Sequence, residues 1–207
     1  MYMPPAFKVE DRDSIFACMR AARLANLVTA TADGPQVSPL PLLLDDSEGE
    51  FGTLHGHLAR ANPQWRLPAI GDAVAVFMGP DAYITPSWYQ TKQETGKVVP
   101  TWNYVTVHAH GPVEFYDDTE RLLTVVTRLT QMHEGDRAKP WAVSDAPADY
   151  MAAQLRGIVG LRIPITRLEG KKKMSQNRSE ADRRGVAEGL AASERAEERA
   201  AAGLIPT

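Results

Sequence analysis

The apolar pattern of these 207 residues predicts a mainly β chain, a β-barrel with flanking helices. About six apolar segments alternate over lengths that suit strands. They follow one another in hairpin order, with Asp33-Gly34 the clearest turn signal. The strands are apolar enough that open edges would be a liability, which closure into a six-stranded antiparallel Greek-key-type barrel removes.

Taken in order, Asp11 or Asp13 caps a first helix whose Ile15, Phe16, Met19 and Ala22 share a face. Leu24 to Thr31 reads as a strand, and Val37 to Leu44 as its return, an edge or bulged segment because of Pro39 and Pro41. Asp45 to Glu50 is a polar turn. A strand follows through Leu54, then a short helix that ends at Gly71-Asp72. Ala73 to Met78, apolar on both faces, reads as a central strand. Gly79-Pro80-Asp81 turns into another, Ala82 to Thr85. Residues 87 to 98 are polar and read as a mobile loop. Val105 to Tyr116 is the longest strand signal. Asp117 with Glu120 resembles a capping box for a helix carrying Leu122, Val125, Val126, Leu129 and Met132. A further helix runs from about Pro147 to Leu155, and Ile158 to Leu168 closes the sheet. From Ser179 the chain turns rich in Ala, Glu and Arg, a helical composition with little to bury. The expected organisation is a domain over 1–178 and a helical tail over 179–207.

Composition narrows the function classes. With 23 basic against 26 acidic side chains, the charge argues against a protein held mainly by nucleic acid. The single cysteine, Cys18, excludes an internal disulfide and fits a reducing cytoplasm; in a helical pattern it reads as a small core residue. Neither a signal peptide nor a run of roughly 20 apolar residues occurs. A cytoplasmic protein without a membrane span is expected.

Candidate chemistry centres on Leu54-His55-Gly56-His57-Leu58-Ala59-Arg60-Ala61-Asn62-Pro63. A strand here delivers Arg60 to a helix start, with Asn62 as N-cap and Pro63 at the first helical position. Free N–H groups and the guanidinium would favour an anion such as a phosphate, although a solvated Arg beside an ordinary helix start has the same spacing. His55 and His57 share one strand face, and His108 and His110 repeat the pattern. Four imidazoles could ligate a metal or simply hydrogen-bond within the barrel. Trp65, Tyr83, Trp88, Tyr89, Trp102 and Tyr104 could line a planar-ring pocket, with core and subunit contacts as the alternative. Lys171-Lys172-Lys173 with Arg162, Arg167 and Arg178 forms a local basic region.

Several stretches together resemble the PaiB-like family of FMN-binding negative transcriptional regulators, in the FMN-binding split-barrel superfamily. They are Met1 to Phe7, Leu54 to Trp65, Gly79 to Tyr89, Val99 to Tyr104 and Glu169 to Asn177, in the family's order. The resemblance implies FMN in a cleft of a homodimer. The flavin ring would rest on the backbone near Leu54, His55, Gly56 and His57, and the phosphate would meet Arg60 and groups near Asn62. Trp102, Asn103, Lys173, Ser175 and Gln176 would help wall the site. The chain departs from the family in carrying Ser38 before Pro39-Leu40-Pro41, where a His is common, and Lys172 between two lysines, where an aromatic is usual.

The expected function is therefore that of a flavin-binding, PaiB-like transcriptional regulator. The alternatives are a flavin-dependent oxidoreductase acting on a small molecule and a His-ligated metal protein. No helix-turn-helix or basic recognition helix stands out, so direct DNA binding is doubtful and regulation through an unidentified protein partner stays open.

Overall fold

The computed structural model describes residues 1–22 and 24–206; Thr207, the last residue of the expected tail, lies outside the described residues. Strand β1 (Lys8–Val9) leads into helix α1 (Arg12–Ala21), whose start is fixed by Asp11 Oδ2 accepting from Ser14 N and which buries Ile15, Phe16 and Met19. Strands β2 (Ala25–Thr31) and β3 (Gly34–Leu40) form the expected hairpin, with Gly34 at φ 105°. That left-handed conformation is one that glycine adopts without a steric cost. The return strand is interrupted at Pro41-Leu42, and the chain resumes as β4 (Leu43–Asp45). Strand β5 (Thr53–Ala59) follows as expected. Asn62 then caps a four-residue 3-10 helix, Pro63–Arg66, so the expected helix ends well before Gly71.

Three further expectations change. Strand β6 (Ala73–Ile84) runs straight through Gly79-Pro80-Asp81 instead of turning there. Its pairing with β2 ends at Phe77, so Pro80 falls where no donor toward β2 is needed. The expected loop contains a 3-10 turn, Pro86–Trp88, and helix α2 (Gln90–Thr95). Asp182 pins it by accepting from Thr91 N and Oγ1 at 2.9 and 2.8 Å, a partner too far along the chain for local pattern to show. The longest strand signal breaks at Pro112 into β7 (Thr101–Gly111) and β8 (Glu114–Tyr116).

Helix α3 (Thr119–Glu134) is capped by Asp118, one residue beyond the expected Asp117. Helix α4 (Ala148–Arg156) lies where it was expected. The closing segment is two strands, β9 (Ile158–Pro164) and β10 (Arg167–Lys173). Ser179 caps α5 (Glu180–Ala191), and α6 (Ala196–Ala202) follows.

The mainly β class with flanking helices is what forms. Among the described residues ten strands, more than the six expected, make two sheets, ordered β1-β10-β7-β6-β2-β3 and β4-β5-β9-β8, and neither sheet closes on itself as the expected barrel would. The strand breaks at Pro41 and Pro112 are where the chain leaves the first sheet for the second, because a proline cannot donate to a ladder.

The chain divides into two compact units, with β6 and β7 passing through both. Unit 1 comprises Met1–Ala21, Met78–Val107 and Glu169–Thr207. Its core joins Ala82, Ile84, Tyr89 and Met174 to Val186, Leu190, Ala201 and Ile205. The tail thus buries more than its composition promised. Unit 2 comprises Ala22–Phe77 and His108–Leu168 and includes the whole four-stranded sheet, with α3 packed on β4, β5 and β9.

Candidate functional site

The expected site residues fall into two groups, one in each unit. In unit 2, β5 alternates as predicted. Leu54, Gly56 and Leu58 face the core, and His55 and His57 face the other way. A Cβ on Gly56 would lie 2.8 Å from Leu42 Cδ2 and 3.1 Å from Pro41 O, so only glycine fits there. His55 Nε2 lies 2.9 Å from Glu48 Oε2. Glu48 also accepts from Nε and Nη2 of Arg162, and these bonds, Arg162 first, hold its carboxyl below the usual range. Ligand atoms of Asp45, Glu48 and His55 lie within 4.8 Å of one another. Arg162 and Arg128, bonded to Glu48 and Asp45, already supply the positive charge at this cluster. His108 and His110 stand with ring centroids 6.3 Å apart, and Arg167 Nη2 lies 3.0 Å from His110 Nδ1.

Arg60 is held at its backbone and its side chain. Its N–H donates to Gly157 O at 2.8 Å, its Nε to Arg156 O at 2.7 Å and its Nη2 to Ile158 O at 3.1 Å. The carbonyls of Arg156 and Gly157 lie at the end of α4, the negative end of a helix, and Ile158 opens β9. The remaining arm, Nη1, is 3.8 Å from the Asp117 carboxylate, beyond hydrogen-bond range. Asn62 Oδ1 accepts from Gln64 N and its Nδ2 donates to Ser38 Oγ, both close to the ideal length at 2.9 and 2.8 Å. Ser38, the departure from the family pattern, therefore serves as a partner to the cap. A one-turn 3-10 helix offers little dipole, so an anion at this junction would depend on the guanidinium.

In unit 1 a tight turn follows β10. Asn103, 1% exposed, donates from Nδ2 to Ser175 Oγ at 2.9 Å. Ser175 sits at φ 62°, a left-handed conformation uncommon for a residue with a Cβ. Gln176 clamps the turn by accepting from Met174 N and donating to Lys172 O. Lys173 Nζ donates to Thr101 Oγ1 at 2.5 Å and to Trp102 O at 2.6 Å. An ammonium has three N–H donors, so one remains. Burial, with Lys171 and Arg178 nearby, pulls the Lys173 pKa down, while Tyr104 acts in the other direction. Lys171, 6% exposed, reaches Tyr2 O and lies over the Tyr2 and Tyr104 rings. Among the described residues, no salt bridge to a carboxylate is made by Lys171, Lys173 or Arg178. Trp102, 55% exposed, meets Tyr83 edge to face at 5.9 Å. Trp88 and Tyr89 are instead part of the packing of unit 1, Trp88 against α5 and Tyr89 in the core.

An uncompensated cation pair on one face of β10 beside an exposed indole fits a ligand that joins an anion to a flat ring. FMN is such a ligand, and when bound it supplies hydride or electron chemistry. Sequence reading named these residues as candidates, but it missed Asp182 as the anchor of α2. It also missed a cavity beneath α3, for which the polar Thr130, His133 and Glu134 on an otherwise apolar helix face were the available signal.

Comparison with known proteins agrees. Residues 1–167 match the family model described as "Putative FMN-binding domain". The chain is 33% identical over 191 residues to "Protease synthase and sporulation protein PAI 2" of Bacillus subtilis, covering 92% of this chain and 89% of that protein. Its fold is similar to that of the FAD and heme binding protein from Mycobacterium smegmatis (TM-score 0.58, 13% identity, 80% of this chain and 73% of that one). It is also similar to the flavocytochrome Anf3 from Azotobacter vinelandii (TM-score 0.56, 14% identity, 80% and 69%). With a family model covering most of the chain and a relative aligned almost end to end, this chain belongs to the PaiB-like FMN-binding family that its motifs resemble.

Proposed function

We propose that this protein binds FMN as a cytoplasmic homodimer and acts as a regulator of the PaiB type. The observation that supports it best is Lys173, a half-buried ammonium with a donor to spare and no carboxylate, bonded to the backbone oxygen of Trp102, whose side chain is exposed. In unit 1 the flavin contacts are Lys173, Trp102 and the turn that Asn103, Ser175 and Gln176 hold in shape. In unit 2 the candidates that the family resemblance gives are Arg60, whose Nη1 lies 3.8 Å from the Asp117 carboxylate, and Asn62, which fixes the backbone after it. Leu54 and Gly56 anchor the strand from the core side, and the backbone of β5 from His55 to His57 is paired to β9, while its pairing to β4 ends at His55.

Regulation fits a protein partner better than DNA. The formal net charge is −3, and Arg162, Arg128, Arg121 and Arg184 are each bonded to a carboxylate. Retention of promoter DNA at physiological salt, falling steeply as salt rises, would restore direct DNA binding. The flavin reading is tested by the visible absorbance of the protein titrated with FMN. Saturable binding with a shifted flavin band supports it, and an unchanged free-FMN spectrum at micromolar protein overturns it.

A further inference from the structure

In unit 1 the first nine residues are laid along β10. Lys8 and Val9 pair with Lys171 and Gly170, and Lys171 Nζ donates to Tyr2 O at 3.2 Å. Between these attachments Pro4 and Pro5, each with a fixed φ, stiffen the segment, and a 3-10 turn spans Pro5–Phe7. The Lys171 ammonium lies between two rings. The Tyr104 centroid is 5.1 Å from Nζ and the Tyr2 centroid 5.6 Å. Tyr104 belongs to β7, so its side of the cage is fixed by the sheet. Tyr2 lies in no strand or helix and is 83% exposed, so its side is a lid.

Lys171 is 6% exposed, and a buried ammonium without a carboxylate is costly. One carbonyl and two ring faces offset that cost here, and two of its three N–H donors have no oxygen acceptor among the described residues. Lys173 follows two residues later on the same strand face, about 6.6 Å along β10. Both charges attract an anion. Lys173, less deeply buried and with a donor left over, is the one open to a first phosphate.

FMN has a single phosphate, whereas a dinucleotide flavin such as FAD has a second phosphate and an adenylate beyond the first. On the reading that Lys173 meets the FMN phosphate, the next cation along the strand is Lys171, and the strap already occupies it. We propose that Tyr2 makes this site select a flavin mononucleotide over a dinucleotide, because a second phosphate reaches Lys171 only by displacing the Tyr2 ring and carbonyl. The selectivity presupposes the flavin reading and adds a specificity residue to it.

Equilibrium dialysis of FMN, FAD and riboflavin against the full chain tests this, with wild type, Tyr2→Phe, Tyr2→Ala and the double variant Tyr2→Ala/Lys171→Met. Wild type is expected to hold FMN about tenfold more tightly than FAD. Tyr2→Ala should tighten FAD about three- to tenfold, the worth of one cation–π contact, and leave FMN and riboflavin unchanged. Tyr2→Phe keeps the ring and should behave as wild type. In the double variant FAD should return to its wild-type level, because the exposed ammonium is gone. A purely structural role for Tyr2 would weaken all three flavins together. That outcome, wild type binding FAD as tightly as FMN, Tyr2→Phe matching Tyr2→Ala, or a FAD gain that survives in the double variant would each overturn the proposal while leaving the flavin reading intact. No binding of FMN to wild type would overturn both.

Discussion

Arg60 shows how a charged side chain can be structural and still have a role to spare. Two of its nitrogens hold the carbonyls of Arg156 and Ile158, so Arg60→Ala strips two acceptors of their donor. A loss of about 1–2 kcal/mol of stability is expected, with no full rescue by Lys, which lacks the planar fork. Urea unfolding measures it, and a variant as stable as wild type contradicts the anchoring role. Asp45 gives a pH-dependent counterpart. Hydrogen bonds from Ser47 and then Arg128 lower its pKa from 3.8 to about 2. A carboxylate lowered in the folded state adds stability that is present above its ordinary value and lost as pH falls toward the folded one. Arg128→Met is therefore expected to cost about 1 kcal/mol at neutral pH, the exposure of Arg128 limiting the effect. The difference from wild type should shrink between pH 4 and pH 2, and a difference independent of pH in that window would exclude this pair as its source.

Among the elements, α5 depends on glycine for a close approach rather than for a turn. A Cβ at Gly185 would lie 2.0 Å from Trp88 O, and one at Gly189 would lie 2.3 Å from Trp88 Cε2. Gly185→Ala is expected to lose about 1–3 kcal/mol despite the better helix propensity of alanine, read as a lower thermal midpoint. A raised midpoint would mean that α5 is loosely held. Such packing explains which elements were legible in the sequence. Helix α1, with a local cap and an apolar stripe, helix α4, with Pro147 just before its first turn, and the hairpin marked by Asp33-Gly34 could be read directly. Helix α2 could not, because Asp182 holds it from a distant part of the chain. Strand β6 was mistaken for two because Pro80 signals a turn unless the end of its β2 pairing is known. The tail looked polar because a few side chains, Val186, Leu190 and Ile205, do its burying. Motif resemblance, rather than periodicity, is what named the candidate site residues. The open pocket beside α3 belongs to no motif, because Pro41, His57 and Trp141 meet the helix only in the folded chain.

At the scale of the whole molecule, unit 1 exposes Tyr83, Trp102, Met78 and Val99, apolar side chains that a second copy would cover. A two-fold dimer is expected at micromolar concentration with FMN present, and a monomer in sedimentation equilibrium would remove that part of the account. Among the described residues no helix is long and apolar enough to cross a membrane. In the proposed FMN site the cations of β10 hold the anionic end of the flavin. Its most direct test is the titration of FMN and riboflavin, which differ by the phosphate, into wild type and Lys173→Met. The substitution removes a charge-assisted contact worth about 1.5–3 kcal/mol while keeping an unbranched apolar stem. FMN affinity should fall by about ten- to a hundredfold and riboflavin affinity far less. Equal losses for the two flavins, or no loss for either, would contradict the assignment.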